Sequence, residues 1–112
     1  MAMAMGHVIL KEYYVDKTVP FFVEYTRKYT DFPFLVRIEK RADGTYIPGR
    51  MLSSRDMGRD EKHAEFRYYV VDDVTGEIVI PNGTLAERWS DQEKWNIREE
   101  NRDTGAEICP RL

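Results

Sequence analysis

The stretch from Ala2 to Tyr14 is the strongest constraint on this fold. Alanines and methionines lead into Val8, Ile9 and Leu10, and the first clear polar break comes only at Lys11 and Glu12. These are good helix formers, so the stretch predicts a helix that is apolar nearly all round. Such a helix requires cover on several sides, as between a sheet and other helices. A domain of 112 residues can hardly supply that cover alone, so the helix points to a piece of a larger body.

The rest of the composition is that of a folding chain. Apolar residues make up 42% and charged residues 33%, the balance of a soluble globular domain rather than a disordered one. A net charge of -3 without a basic patch excludes a general nucleic-acid grip. No run approaches the roughly 18 apolar residues of a membrane span, so the chain is expected to have no span of its own. Met1 to Leu10 lacks a positive leader and flows straight into Lys11 and Glu12, so it reads as mature sequence rather than a signal peptide. Cys109 is the single cysteine, which excludes an intramolecular disulfide, a CxxC zinc site and a cysteine-ligated cluster within this chain. It reads as a bystander thiol.

Along the chain, Thr18 is expected to cap a second helix with Pro20 in its first turn, running to about Tyr29. Phe21, Phe22, Tyr25 and Tyr29 recur at helical spacing and predict a core face, with Glu24, Arg27 and Lys28 on the solvent side. Pro33 ends that region, and Phe34 to Ile38 predicts a buried strand. Asp43-Gly44 predicts a tight turn into Thr45, Tyr46 and Ile47, with Pro48 and Gly49 ending the return strand. Ser53 to Lys62 reads as a surface excursion with one helical turn. Phe66 to Val71 and Glu77 to Ile80 flank Asp72 to Gly76 as a second hairpin, and Pro81-Asn82-Gly83 makes another turn. Leu85, Trp89, Trp95 and Ile97 lie in one or two short strands, before a polar tail. The expected fold class is α+β for the isolated chain: two N-terminal helices, then short strands and hairpins. Residues 1–112 form a single partial domain, with a helical part at 1–30, a strand and hairpin part at 31–98 and the polar tail at 99–112.

No constellation carries chemistry by itself. His7 and His63 are far apart and neither has an H-x-x-x-H partner; His7 reads as a core or interface histidine and His63 as exposed. Asp72-Asp73 and Glu99-Glu100 read as solvated charge rather than a carboxylate dyad, because adjacent strand residues face opposite sides. Ser53-Ser54 lacks a nucleophile-elbow context, and no glycine run resembles a phosphate loop. Trp89 and Trp95, preceded by Arg88 and Lys94, read as core aromatics rather than a stacking platform.

Several ordered stretches resemble one family. They are Ala2 to Glu12 (AMAMGHVILKE), Tyr25 to Asp31 (YTRKYTD) with Pro33, Pro48 to Leu52 (PGRML), Val79 to Gly83 (VIPNG) and Lys94 to Asn96 (KWN). Together they resemble the alpha subunit of the membrane-bound respiratory nitrate reductases, of the molybdopterin oxidoreductase group, over roughly Met3 to Arg98. The resemblance implies an internal segment of a larger α/β subunit that reduces nitrate to nitrite. Its molybdenum is held by bis-molybdopterin guanine dinucleotide and supplied with electrons through an iron-sulfur cluster.

The family's cluster ligands, molybdenum-ligating aspartate and a cofactor-contacting loop all precede the matching stretch. The resemblance therefore carries no catalytic, cofactor-binding or metal-ligating residue onto this chain, and it implies a scaffold that is inactive alone. The implied partners are the remainder of the alpha subunit, an iron-sulfur beta subunit and a membrane anchor subunit. These would hold the chain at the cytoplasmic face of the membrane, or at the outer face in an archaeon.

Ala86-Glu87, the linker from Ser54 to His63 and the ending Ile108 to Leu112 depart from the family pattern, which suits a broken gene, a diverged remnant or a truncated chain. Two alternatives stand beside this reading. One is a non-catalytic interaction protein that self-associates through the Met1 to Leu10 helix. The other is a segment of a related nitrite oxidoreductase or chlorine-oxyanion reductase.

Overall fold

A computed structural model describes residues 2–89 and 96–112. Helix α1 spans Ala2–Ile9 and opens into a π-helical turn over Leu10–Val15, and helix α2 spans Pro20–Tyr29. Strands β1 (Val36–Lys40) and β2 (Tyr46–Met51) form one antiparallel hairpin, and β3 (Val70–Val71) and β4 (Ile78–Val79) form a second. Short 3-10 turns occupy Ser54–Met57, Ala64–Phe66 and Leu85–Trp89. The architecture is α+β, as the residue pattern predicts.

The π-helical turn closes where Asp16 donates its N-H to the Lys11 carbonyl at 2.8 Å, while the Lys11 ammonium meets the Asp16 carboxylate. Thr18, expected to cap α2, instead turns back. Both its N-H (3.1 Å) and its hydroxyl (2.7 Å) donate to the Glu12 carbonyl. The residue at the cap is extended Val19, with Pro20 in the first turn as predicted. At the other end the Thr30 hydroxyl donates to the Thr26 carbonyl at 2.6 Å and accepts from the Phe32 N-H. This closes α2 just before Pro33.

The aromatic face of α2 is reversed from expectation. Phe21 is 68% exposed, Tyr25 and Tyr29 are exposed too, and the three rings follow one another at 6.0 and 5.1 Å along the outer surface. Phe22, against the Tyr13 ring, is half-buried, and the buried residue of the helix is Thr26. Arg27 and Lys28, expected in solvent, are half-buried. A sequence pattern marks an apolar stripe but not what stands opposite it.

Residues 36–40 form the first strand, shifted from the expected 34–38, and all five are exposed rather than buried. Its turn is the predicted one. Gly44 has φ +86°, and the Asp43 carboxylate accepts both the N-H and the hydroxyl of Thr45. The return strand passes through Pro48 and Gly49 to Met51, with Pro48 opposite Ile38. In a two-stranded ribbon every strand is an edge, so a proline without an N-H is tolerated. The radius of gyration is 15.6 Å, above the roughly 13 Å of a compact domain this long, as this ribbon and the helical arm require.

The core lies in the second half. Val70, Ile80, Ala64, Tyr69, Ala86, Ile97 and Ile108 are buried. The expected surface excursion with its one helical turn is present over Arg55 to Lys62, but it starts from the interior: Ser53 is buried and Ser54 is 0% exposed. Ser53 caps the 3-10 turn by exchanging hydrogen bonds with Asp56, and the Ser54 hydroxyl bonds to Glu61. The second hairpin forms at the expected place, with strands of only two residues. Gly76 (φ +74°) and Gly83 (φ +79°) occupy the predicted turns. Leu85–Trp89 is a 3-10 turn instead of a strand, and Trp95 lies outside the described residues.

Residues 99–112 are not a loose polar tail. The segment threads back through the body by isolated bridges that pair Pro81 with Asn101, Glu100 with Glu107 and Asp72 with Pro110. Ile108 and Pro110 turn inward while Cys109 between them is half-buried, the period-two alternation of an extended chain against a core. Two inward side chains among so many polar ones leave little signal in composition. Among the described residues no helix is long and apolar enough to cross a membrane.

Candidate functional site

The polar residues that gather in the fold form two groups. The first is centred on Asp72, which is 3% exposed rather than solvated. Its carboxylate accepts the N-H of Cys109 at 2.9 Å, the hydroxyl of Thr75 at 2.7 Å, and the N-H groups of Thr75 and Val74. The Cys109 N-H and the Thr75 hydroxyl hold its pKa at about 2, because each donor stabilises the ionised form. The bonds to Val74 and Thr75 are an Asx-turn, a local signal that Asp72 through Gly76 carries and that sequence reasoning missed. Its neighbour Asp73 is exposed and pairs with Arg111 at 2.7 Å. The two carboxylates thus diverge, as expected, but only one of them is in water.

The second group lies around Glu61. Arg102 approaches it at 2.6 Å and Arg67 at 3.5 Å, while Arg67 also bonds Glu87. Arg102 and Arg59 both reach Asp103, at 3.4 and 2.8 Å. Burial pushes the Glu61 carboxyl up, but the Ser54 hydroxyl and Arg102 outweigh it and leave the pKa lowered. The Asp103 carboxylate, then the Tyr69 hydroxyl, raise that of Arg59. Asp56 is likewise held at about 2, first by the Ser53 N-H, then by the Ser53 hydroxyl, with Arg50 and Arg37 adding to this. A general acid needs the opposite shift, toward neutral pH. The arrangement can bind segments together, and it holds its carboxylates ionised.

The remaining residues singled out from sequence do not converge. His7 is exposed on α1. His63, expected in solvent, is half-buried with φ +60° and stacks on the Trp89 ring at 4.8 Å. Phe66 meets the same ring at 5.0 Å, so Trp89 packs on a surface cluster and stays 49% exposed. Glu99 pairs with Lys28 and Arg27, and Glu100 with Asn82. Cys109 is half-buried. A cleft of about 330 Å³ opens between the end of α2 and the body, bounded by Tyr29, Phe34, Met51, Tyr68 and Ile97. Among the described residues no three histidine, cysteine, aspartate or glutamate side chains come together as a metal would require.

No family model matches the chain. The curated relatives it matches are large chains, and the sequence corresponds to a small part of each. The nitrate reductase alpha chain of Bacillus subtilis (strain 168) is 47% identical over all 112 residues, which is 9% of that protein. The nitrate reductase alpha subunit of Mycobacterium tuberculosis (strain H37Rv) is 46% identical over 99 residues, and the respiratory nitrate reductase 2 alpha chain of Escherichia coli (strain K12) 44% over 99. Each of these matches covers 87% of this chain and 8% of the relative.

Placed beside a fold with an uncovered helical arm, these matches make the chain a counterpart of one small part of a much larger subunit. The family it belongs to is that of the nitrate reductase alpha chains. The Bacillus match runs through Ile108 to Leu112, correcting the expectation that the resemblance stops near Arg98. Ile108 and Pro110 are core residues, which gives that continuation a physical reason.

Proposed function

We propose that this chain is a scaffold portion, one partial domain, of the catalytic alpha subunit of a molybdenum-dependent nitrate reductase that converts nitrate to nitrite in anaerobic respiration. The observation that carries the reading is identity of 42–47% to nitrate reductase alpha chains. The uncovered arm supports it: Met3 is 90% exposed, and Met5, Val8, Ile9, Leu10 and Val15 are exposed as well. A surface this apolar marks an interface, and the rest of a much longer polypeptide would cover it.

In this reading the family's molybdenum, pterin dinucleotide and iron-sulfur cluster are held by other parts of the subunit; among the described residues no group of three histidine, cysteine, aspartate or glutamate side chains gathers. The single cysteine has a fixed backbone in the Asp72 cradle, and the carboxylates of Asp56, Glu61 and Asp72 are engaged by arginines and backbone donors. No step of nitrate reduction is therefore assigned to these residues. Their contribution is to hold neighbouring elements in place. The partners in this reading are the remainder of the alpha subunit, an iron-sulfur beta subunit and a membrane anchor subunit, which place the chain at the cytoplasmic face of the membrane.

The test replaces the matching segment of the Bacillus subtilis alpha chain with this sequence, alongside purification of the 112-residue chain. The scaffold reading expects the chimera to keep molybdenum, pterin and nitrate reduction, and the purified chain to hold neither group. A purified chain that retained molybdenum and pterin and turned over nitrate would overturn it. The same apolar arm favours a second reading, self-association of the chain through its first helix, which a solution mass of twice the monomer's or more would support.

A further inference from the structure

We infer that residues 99–111 are a strap that fixes the angle between the helical arm and the strand body, anchored in the body by Asp72. The inference rests on this chain's own geometry and stands apart from the nitrate reductase reading.

At the body end the strap is held on both sides of one residue. Asp72 accepts the Cys109 N-H at 2.9 Å, and the Asp73 N-H donates to the Cys109 carbonyl at 2.7 Å. The Arg111 N-H then donates to the Val71 carbonyl at 2.8 Å, and the Arg111 side chain reaches Asp73. Ile108 and Pro110 are buried alongside. A peptide held by a buried carboxylate and two backbone bonds has little freedom.

At the arm end the same segment faces helix α2. The Arg27 Nε donates to the Pro110 carbonyl at 2.9 Å, across 83 residues of sequence. Arg27 and Lys28 also pair with Glu99, at 3.5 and 3.1 Å. Among the described residues, the polar ties that run from α2 to the body thus end on the strap. The covalent link is the run Thr30 to Leu35. A helix tied at its last residue alone can swing about that run; one also tied through Arg27 cannot without breaking a charge-assisted hydrogen bond. Because the π-helical turn that continues α1 packs on α2 through Tyr13 and Phe22, the strap sets the direction in which the apolar arm is presented.

The test measures the arm-to-body distance by pulsed electron spin resonance on the 112-residue chain. Spin labels are placed at exposed positions through Glu24→Cys on α2 and Lys62→Cys on the body, in a Cys109→Ser background that leaves the backbone bonds in place. A strapped arm gives one narrow distance distribution. Arg27→Gln, which cuts the strap at the arm end, is expected to roughly double its width, and Asp72→Asn to do the same from the body end. Asp56→Asn, at a carboxylate with no tie to the strap, leaves it unchanged. A distribution already broad in the labelled parent, or one that Arg27→Gln does not widen, overturns the proposal. If Asp72→Asn fails to fold, Arg27→Gln decides alone.

Discussion

Gly83 and the backbone of Asn96 pass so closely that a Cβ on Gly83 would stand 1.8 Å from the Asn96 carbonyl oxygen. Gly83 also has φ +79°, and the two stretches of chain are joined close by, where the Arg98 N-H donates to the Asn82 carbonyl at 2.9 Å. Gly83→Ala therefore forces the segments apart as well as straining the turn, at an expected cost of at least about 2 kcal/mol. Gly44 has φ +86° but open space around it, so Gly44→Ala should cost only about 1 kcal/mol. Urea unfolding of the two variants checks the order; equal losses would mean that strain alone matters.

Asp72→Asn should lower the melting temperature by several degrees. The amide keeps the shape but replaces one accepting oxygen with a donor, so an N-H of Cys109, Val74 or Thr75 loses its partner. Asp73→Asn, which removes only an exposed pairing with Arg111, should leave the melting temperature within about a degree. Calorimetry of the pair separates the two carboxylates.

Acid should act late on this fold. Asp56 and Asp72 both titrate at about 2 in the folded chain against an ordinary value of 3.8. A depressed carboxylate contributes stability that is fully present above its unfolded pKa and lost as pH falls through the folded one. The urea midpoint is thus expected to lose these contributions between pH 4 and pH 2. The double variant Asp56→Asn, Asp72→Asn should start lower and fall less steeply. An equally steep fall would assign the acid sensitivity to other groups.

Phe21→Lys and Met3→Lys should improve solubility without weakening the fold. Both side chains are largely exposed, so stability should stay within about 0.5 kcal/mol. Binding of an apolar dye and self-association, read by fluorescence and light scattering, should both drop. Unchanged association would place the contact surface elsewhere, for example on the exposed Ile38 and Tyr46 of the first hairpin.

The turns were the most legible part of the fold. Asp43-Gly44, Asp72 to Gly76 and Pro81 to Gly83 each carry a glycine that takes up a positive φ, a preference that needs no tertiary partner. The limits of α2 were legible for the same reason, through Pro20 and Pro33. Thr18 shows the limit of such rules: it has the chemistry of a cap, yet the Glu12 carbonyl behind it takes its hydroxyl. The low-pKa site was illegible because Asp72 becomes special through Cys109, 37 residues away, and Ser54 through a neighbour seven residues on.

By itself the sequence determined where the chain bends, which stretches are helical or extended, that a cysteine-ligated cluster cannot form within it, and which family its ordered stretches resemble. Those properties follow from local backbone preference and residue chemistry. Only the tertiary structure decided that the aromatic face of α2 looks outward, that β1 is exposed, that Ser54 and Asp72 are interior, and that residues 99–112 return to the core. Burial belongs to pairs of segments rather than to either one, so a polar stretch reads as a tail until the carboxylate and carbonyls that receive it are in place.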